Sequence, residues 1–289
     1  MTFKEKILAG QFLLTSEIGP PKGIETGQLL EDAELIRSRV DAINVTDLQS
    51  SVMRLGSLAV CSLLKQRGFE PIFQVTCRDR NRLALQSDIL SAAALGIENL
   101  LILTGDHTTM GDHPEAKPVF DLDSVQLLGV VRKLQEGLDM KGNKLEGRAP
   151  KFCVGAVVNP GADPIEPQII KMEQKIEAGA EFFQTQAIYN VKIFENFLNK
   201  IKHLKTTILA GIVLLKSAGM AKYMNKNVAG VVVPDNLIKE MEETKDKSAK
   251  SVEIAARLIK ELKPMCQGIH IMPIGWDKKV PLVLDAAGL

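Results

Sequence analysis

The sequence predicts an α/β protein built as a (β/α)₈ TIM-type barrel, one domain spanning residues 1–289. Three observations carry this. Short β-type apolar runs alternate with longer helical patterns from one end to the other, the sequence form of repeated βα units around a parallel sheet. Eight such strands with their crossovers close naturally into a barrel, whereas an open doubly wound sheet normally uses fewer. The 289 residues also fall within the range that one barrel can use entirely.

In order along the chain, strand one is Gln11 to Ile18, ended by Gly-Pro-Pro, where two prolines fix the backbone and remove donors. A helix over Glu25 to Arg39 leads to strand two, Asp41 to Thr46, and a helix over Arg54 to Arg67 to strand three, Pro71 to Cys77. Helix Asn81 to Leu95 precedes strand four, Asn99 to Leu103. Helix Asp123 to Glu136 precedes strand five, Phe152 to Val158. Helix Pro167 to Ala178 precedes strand six, Phe182 to Ile188, and helix Lys192 to Lys202 precedes strand seven, Thr207 to Leu214. The segment Val228 to Lys263 holds a short apolar run and then helices with a solvated charged face, before strand eight, Gly268 to Pro273. A short tail follows from about residue 276. The joints "RGFEP", "LGIEN", "AGAEF" and "QGIHI" place Gly68, Gly96, Gly179 and Gly268 where helices stop, as C-terminal caps.

Composition narrows the function. Lysines and arginines number 36 against 35 aspartates and glutamates, so a net charge of +1 supplies no basic field for nucleic acid or anionic lipid. No apolar run is long enough for a membrane span, and the amino-terminal stretch lacks a secretory signal, so the expected location is cytoplasmic. Cys61, Cys77, Cys153 and Cys266 form no Cys-x-x-Cys pair and read as buried reduced thiols.

In a barrel, the strand ends and the loops after them share the active face. Those ends carry Ser16 and Glu17, then Asn44, Thr46 and Asp47, then Gln74, Thr76 and Arg78, then Thr104, Gly105 and Asp106, with Asn159, Gln184 and Gln186 further on. Of the irregular segments, "TGDHTTMGDHPEAKPVFDLD" follows a strand and belongs to that face, while "GLDMKGNKLEGRAP" precedes one and lies opposite. Glu17 either caps a turn and pairs with a cation or, held rigid by the prolines in a partly dry mouth, serves as a proton donor. The two Asp-His pairs of the long loop lack the spacing and a third cluster for a metal site, so no metal is expected. No Gly-x-Gly-x-x-Gly turn or phosphate-binding lysine loop is present. Lys171 and Lys175, four apart on one helix face, suit either a phosphate or solvent.

Taken in order, "SEIGPP", "NVTD", "QVTCRDRN", "LLILTGD" and "FFQTQAIYN" resemble the methylenetetrahydrofolate reductases from Leu14 to about Trp276. The resemblance implies a flavin-containing barrel that reduces 5,10-methylenetetrahydrofolate to 5-methyltetrahydrofolate by hydride transfer from reduced flavin. It makes Glu17 the general acid that protonates the folate nitrogen, and Asp106 the acid beside flavin and pterin. Gln186, Asp106 and Ile274 become substrate contacts, and Thr46, Gln74, Thr76, Thr104, Gly105, Asp106, Phe120, Asn159 and Lys175 flavin contacts.

The chain departs from that pattern at several points. Thr104 stands where many bacterial members carry arginine, Gln74 where a histidine is frequent and Gln168 where an aspartate is common, leaving FAD and FMN both open. Ala218 falls near the place of a nicotinamide-stacking aromatic. The chain ends soon after the barrel and is similar to the short form of acetogenic anaerobes, which implies a separate zinc and iron-sulfur subunit as electron-transfer partner. A pterin-dependent methyltransferase barrel without flavin, a flavin barrel of the proline dehydrogenase type and a non-catalytic folate-binding subunit remain as alternative readings.

Overall fold

The computed structural model describes residues 1–289. Eight strands, β1 (Leu13–Ile18), β2 (Ala42–Val45), β3 (Pro71–Thr76), β4 (Asn99–Leu103), β5 (Cys153–Val158), β6 (Phe182–Ala187), β7 (Thr207–Val213) and β8 (Gly268–Met272), pair in sequence order, and β8 returns to β1 to close the barrel. All pairings are parallel. Each strand agrees with the sequence reading to within two residues at either end. The only register shift lies between β6 and β7, near Gln184 and Ala187.

The helices are α1 (Phe3–Leu8), α2 (Gly27–Ile36), α3 (Ser57–Gln66), α4 (Arg82–Ala94), α5 (Ser124–Gln135), α6 (Glu166–Ala178), α7 (Val191–Lys200), α8 (Ala218–Asn227), α9 (Asp235–Glu243), α10 (Lys247–Leu262) and α11 (Val280–Ala287). Several start from side-chain caps, such as Asn81 on α4 and the Asp123–Gln126 capping box on α5. The α3 helix starts three residues later than its pattern predicts, because Arg54 turns back to donate to the Pro20 carbonyl at 3.0 Å. The C-terminal tail is largely helical: α11 buries Val280, Val283 and Leu284, where the sequence reading saw only an extension.

Burial follows the barrel's alternation. One apolar shell lies between strands and helices, and a second fills the lower interior with Leu13, Ala42, Ile72, Leu101, Cys153, Phe182 and Leu209, one from each of seven strands. Phe3 of α1 joins that inner layer and meets the Phe182 ring edge-on, with centroids 5.4 Å apart and planes at 82°. The barrel is thereby stoppered at its N-terminal end.

Gly68, Gly96 and Gly179 follow their helices with φ of 77°, 77° and 117°. Gly268 does not act as a cap; it is the first residue of β8 in the inner layer, and a Cβ there would lie 2.5 Å from the Leu13 carbonyl oxygen. The close approach of β1 explains the glycine. All four cysteines are free and buried, and burial raises each thiol pKa, that of Cys77 to about 12 and that of Cys266 to about 11.

Candidate active site

The C-terminal strand ends open into one cavity of about 410 Å³. Its walls include Glu17, Gln74, Thr76, Thr104, Gly105, Asp106, Asn159, Gln168, Lys171, Lys175, Gln184, Gln186 and His270. Side chains from six strands or their loops therefore converge on one volume, as the barrel geometry requires.

Glu17 sits one residue before the end of β1, with its side chain 10% exposed. Gln49 Nε2 donates to its Oε1 at 3.0 Å, and His270 Nε2 lies 3.9 Å from its Oε2. Gln49 belongs to a loop in which Leu48, Ser50 and Ser51 take φ of 48°, 55° and 58°, a strained left-handed arrangement for non-glycine residues. That loop is pinned from beneath. Arg78, almost wholly buried, donates to the Leu48 and Asp106 carbonyls at 3.2 and 3.1 Å, joining the loops after β2 and β4.

Asp47, at the end of β2, has no exposed side chain and accepts from both terminal nitrogens of Arg80 at 2.7 and 2.9 Å. Thr76 N and Oγ1 each donate to it at 2.9 Å. Burial would push this carboxyl up, yet the Arg80 guanidinium and the Thr76 donors outweigh it and hold the pKa below the ordinary value. Across the mouth, Asp112 accepts from Lys22 Nζ at 2.7 Å and Met53 N at 3.0 Å, tying together the loops after β1, β2 and β4. The Lys22 ammonium, then the Met53 amide and His113, keep Asp112 well below the usual carboxylate range.

Asp106 and Gln186 both line the cavity and are exposed to it. Gly105, with φ of 92°, lets the chain turn tightly above β3, since a Cβ would lie 3.1 Å from Arg78 Cβ and 3.2 Å from Thr76 Cβ. On the neighbouring wall, Lys175 of α6 is buried and donates from Nζ to the Val157 carbonyl of β5 at 2.6 Å. Burial, then the neighbouring Lys171, lowers its pKa from 10.5 to about 8.

Three residues expected at the site do not line the cavity. Thr46 is buried behind it, with an Oγ1 that has no partner. Phe120, with φ of 40°, stacks on His107 at 6.4 Å in the long loop. Ile274, with φ of 50°, is 41% exposed beyond the end of β8. Among those that do line it, Thr76 is committed to Asp47, Thr104 Oγ1 donates to Ser124 Oγ at 3.2 Å, and Asn159 Nδ2 donates to the Ala229 carbonyl at 2.8 Å. The Gln74, Asp106, Gln168 and Lys171 side chains line the volume with no hydrogen-bond partner in the protein, and Lys175 has the Val157 carbonyl alone. This set fits a polar heteroaromatic group with an anionic arm, as a flavin has.

Sequence reasoning missed His270 and Gln49. The available signal for His270 was alternation, because it is the only polar side chain in the strand "GIHIM" and shares the inward parity of Thr15 through their register. Gln49 carried no such signal, since its position depends on the irregular loop.

A curated relative, methylenetetrahydrofolate reductase 2 of Schizosaccharomyces pombe, is 25% identical across 99% of this chain. A probable methylenetetrahydrofolate reductase (NADPH) of Caenorhabditis elegans is 22% identical across 86%. The chain spans 47% and 36% of the lengths of these two relatives. Among solved structures, an uncharacterized Clostridium thermocellum protein that binds two copies of 5-methyl-5,6,7,8-tetrahydrofolic acid superposes with a TM-score of 0.70. It covers 98% of this chain and 97% of its own at 18% identity, a likeness of fold. A 2,3-dimethylmalate lyase, at 9% identity over 99% of this chain and 87% of its own, reaches 0.52, which reflects the shared barrel. The family model for methylenetetrahydrofolate reductase matches residues 2–288, and the chain belongs to that family.

Proposed function

We propose that this chain reduces 5,10-methylenetetrahydrofolate to 5-methyltetrahydrofolate, with Glu17 as the general acid. The observation that carries the reading is the convergence of Glu17, Asp106 and Gln186, from β1, β4 and β6, on one cavity in a chain of this family. A bound flavin, FAD or FMN, supplies the hydride. Glu17 delivers a proton to the folate nitrogen so that the bridged ring opens, a contribution of about 10² to 10⁴ in rate. Gln186 offers an amide to the pterin edge, and Asp106 places a negative charge at the rim beside it. Lys171 and Lys175 suit the anionic arm of the cofactor, and Lys175, lowered by burial to about 8, still carries its charge at pH 7.

Ala218 opens α8 at the end of the β7 loop and presents only a methyl group for any nicotinamide to stack on. Electron delivery by a separate zinc and iron-sulfur subunit is the reading this favours, and a cytoplasmic location accords with it. No helix is long and apolar enough to cross a membrane.

The test is reconstitution with FAD and FMN, mass identification of the retained flavin, chemical reduction, and mixing with methylenetetrahydrofolate. Formation of 5-methyltetrahydrofolate is expected, with Glu17→Gln abolishing it while flavin reduction persists. A protein that retains no flavin yet binds methylfolate would instead be a flavin-free folate binder or methyltransferase. The Clostridium thermocellum neighbour, which binds two methylfolates, is the observation that keeps this second reading in view.

A further inference from the structure

We infer that a hydrogen-bond chain running across the barrel interior fixes the tautomer of His270, so that its Nε2–H faces Glu17. His270 then acts as a positioning residue for the Glu17 carboxylate. The inference deepens the folate reading and rests on it for the role of Glu17, but the tautomer itself follows from the orientation of the Asn44 and Gln184 amides and from the carboxyl that faces Nε2.

Asn44 on β2 and Gln184 on β6 are both buried and face each other across the barrel. Asn44 Nδ2 donates to Gln184 Oε1 at 2.7 Å, and Gln184 Nε2 donates back to Asn44 Oδ1 at 3.0 Å. The second Gln184 proton goes to Thr15 Oγ1 at 3.3 Å. Thr15 is fully buried, and the remaining polar atom within reach of its hydroxyl is His270 Nδ1, at 2.9 Å. With the two amides oriented this way its one proton points to Nδ1, and a neutral imidazole that accepts at Nδ1 carries its proton at Nε2; the Glu17 carboxyl facing Nε2 favours this arrangement over a joint flip of both amides, which would reverse the Thr15 link.

That nitrogen is the one 3.9 Å from Glu17 Oε2. At 3.9 Å the gap is too long for a hydrogen bond, and a small shift of either side chain closes it, as catalytic contacts tighten when substrate binds. The opposite tautomer would turn a lone pair toward the carboxylate formed once Glu17 has given up its proton. The chain thus matters most in the state after proton transfer, when the negative charge needs a donor. Gln49 on Oε1 and His270 on Oε2 then hold the two oxygens from opposite sides.

The inference is tested by long-range ¹H–¹⁵N correlation spectroscopy of the full chain carrying ¹⁵N-labelled histidine, at neutral pH. The buried histidine, one of four, is assigned by its loss in His270→Asn. The expected spectrum has the proton on Nε2 in the parent protein, a mixed or Nδ1-protonated ring in Thr15→Val, and a restored Nε2–H in Thr15→Ser. In the same variants, chemistry on methylenetetrahydrofolate should slow about tenfold in Thr15→Val, the loss of one charge-assisted hydrogen bond, and recover in Thr15→Ser, with flavin reduction unchanged in all.

A parent resonance with the proton on Nδ1 overturns the inference, and so does an unchanged tautomer in Thr15→Val. If Thr15→Val does not fold, the parent spectrum decides alone. The spectrum needs neither substrate nor flavin, so absence of methylfolate formation would refute the proposed activity and not the tautomer.

Discussion

Replacing Arg80 with methionine isolates the ion pair beneath the mouth of the cavity. Asp47 has no exposed side-chain surface, and Arg80 is 19% exposed and also forms an ion pair with Asp88, Nε to Oδ2 at 2.9 Å. Removing one partner of a buried pair typically costs about 3 to 5 kcal/mol, because the other charge is left without compensation. Asp47 would keep the two Thr76 donors and Ser57 Oγ at 3.2 Å, which places the expected loss near the lower end, about 3 kcal/mol. The sign with pH follows from the lowered pKa: the pair stabilises above the carboxyl's unfolded value and loses this contribution as pH falls through the lower folded value. Urea unfolding by circular dichroism at pH 7 should show a lower midpoint at unchanged slope, with the difference from the parent shrinking toward pH 3. Asp47→Leu combined with Arg80→Met should be more stable than Arg80→Met alone. A loss under about 1 kcal/mol in the single variant, or a double variant less stable than the single, would refute the reasoning.

Lys175→Met should stabilise the ligand-free protein at pH 7, by up to about 3 kcal/mol, because burial disfavours the ammonium. The folded pKa is lowered, so the penalty is present in full below about pH 8 and is relieved as pH rises toward 10.5; the variant's advantage should shrink to about 1 kcal/mol or less at pH 10 in chemical denaturation, and flavin affinity should drop at pH 7. Gly268→Ala should destabilise by about 3 kcal/mol or more through its clash with β1, whereas Gly96→Ala, whose Cβ would meet nothing closer than Lys65 Cε at 3.9 Å, should cost about 1 kcal/mol by backbone strain alone. Equal thermal shifts in the two would count against the packing account. Phe3→Ala should cost about 3 kcal/mol and raise amide exchange in the lower barrel; unchanged exchange would mean that α1 is not a stopper.

The barrel was legible because its strands are apolar on both faces and its helices stop at glycines, signals that act within a few residues. The mouth was legible wherever a polar side chain follows directly from strand periodicity, as with Glu17, Gln74 and Gln186. Past the strand ends that periodicity stops, and Phe120 and Ile274 went astray because left-handed backbone at each turns the chain in a way that their apolar side chains do not announce. Gly268 was misread because a glycine before a strand looks the same whether it ends a helix or yields to a neighbouring backbone. The α1 helix, six residues long, gave no periodic pattern to detect, and His270 was hidden among isoleucines. What local sequence omits in each case is the identity of the facing strand.

The aromatic stopper also governs traffic. With Phe3 and Phe182 sealing the floor, the barrel has a single doorway, and whatever enters must leave through the rim it came in by. Two bulky visitors that need the same floor must therefore queue, and their order of arrival and departure becomes a property of the architecture.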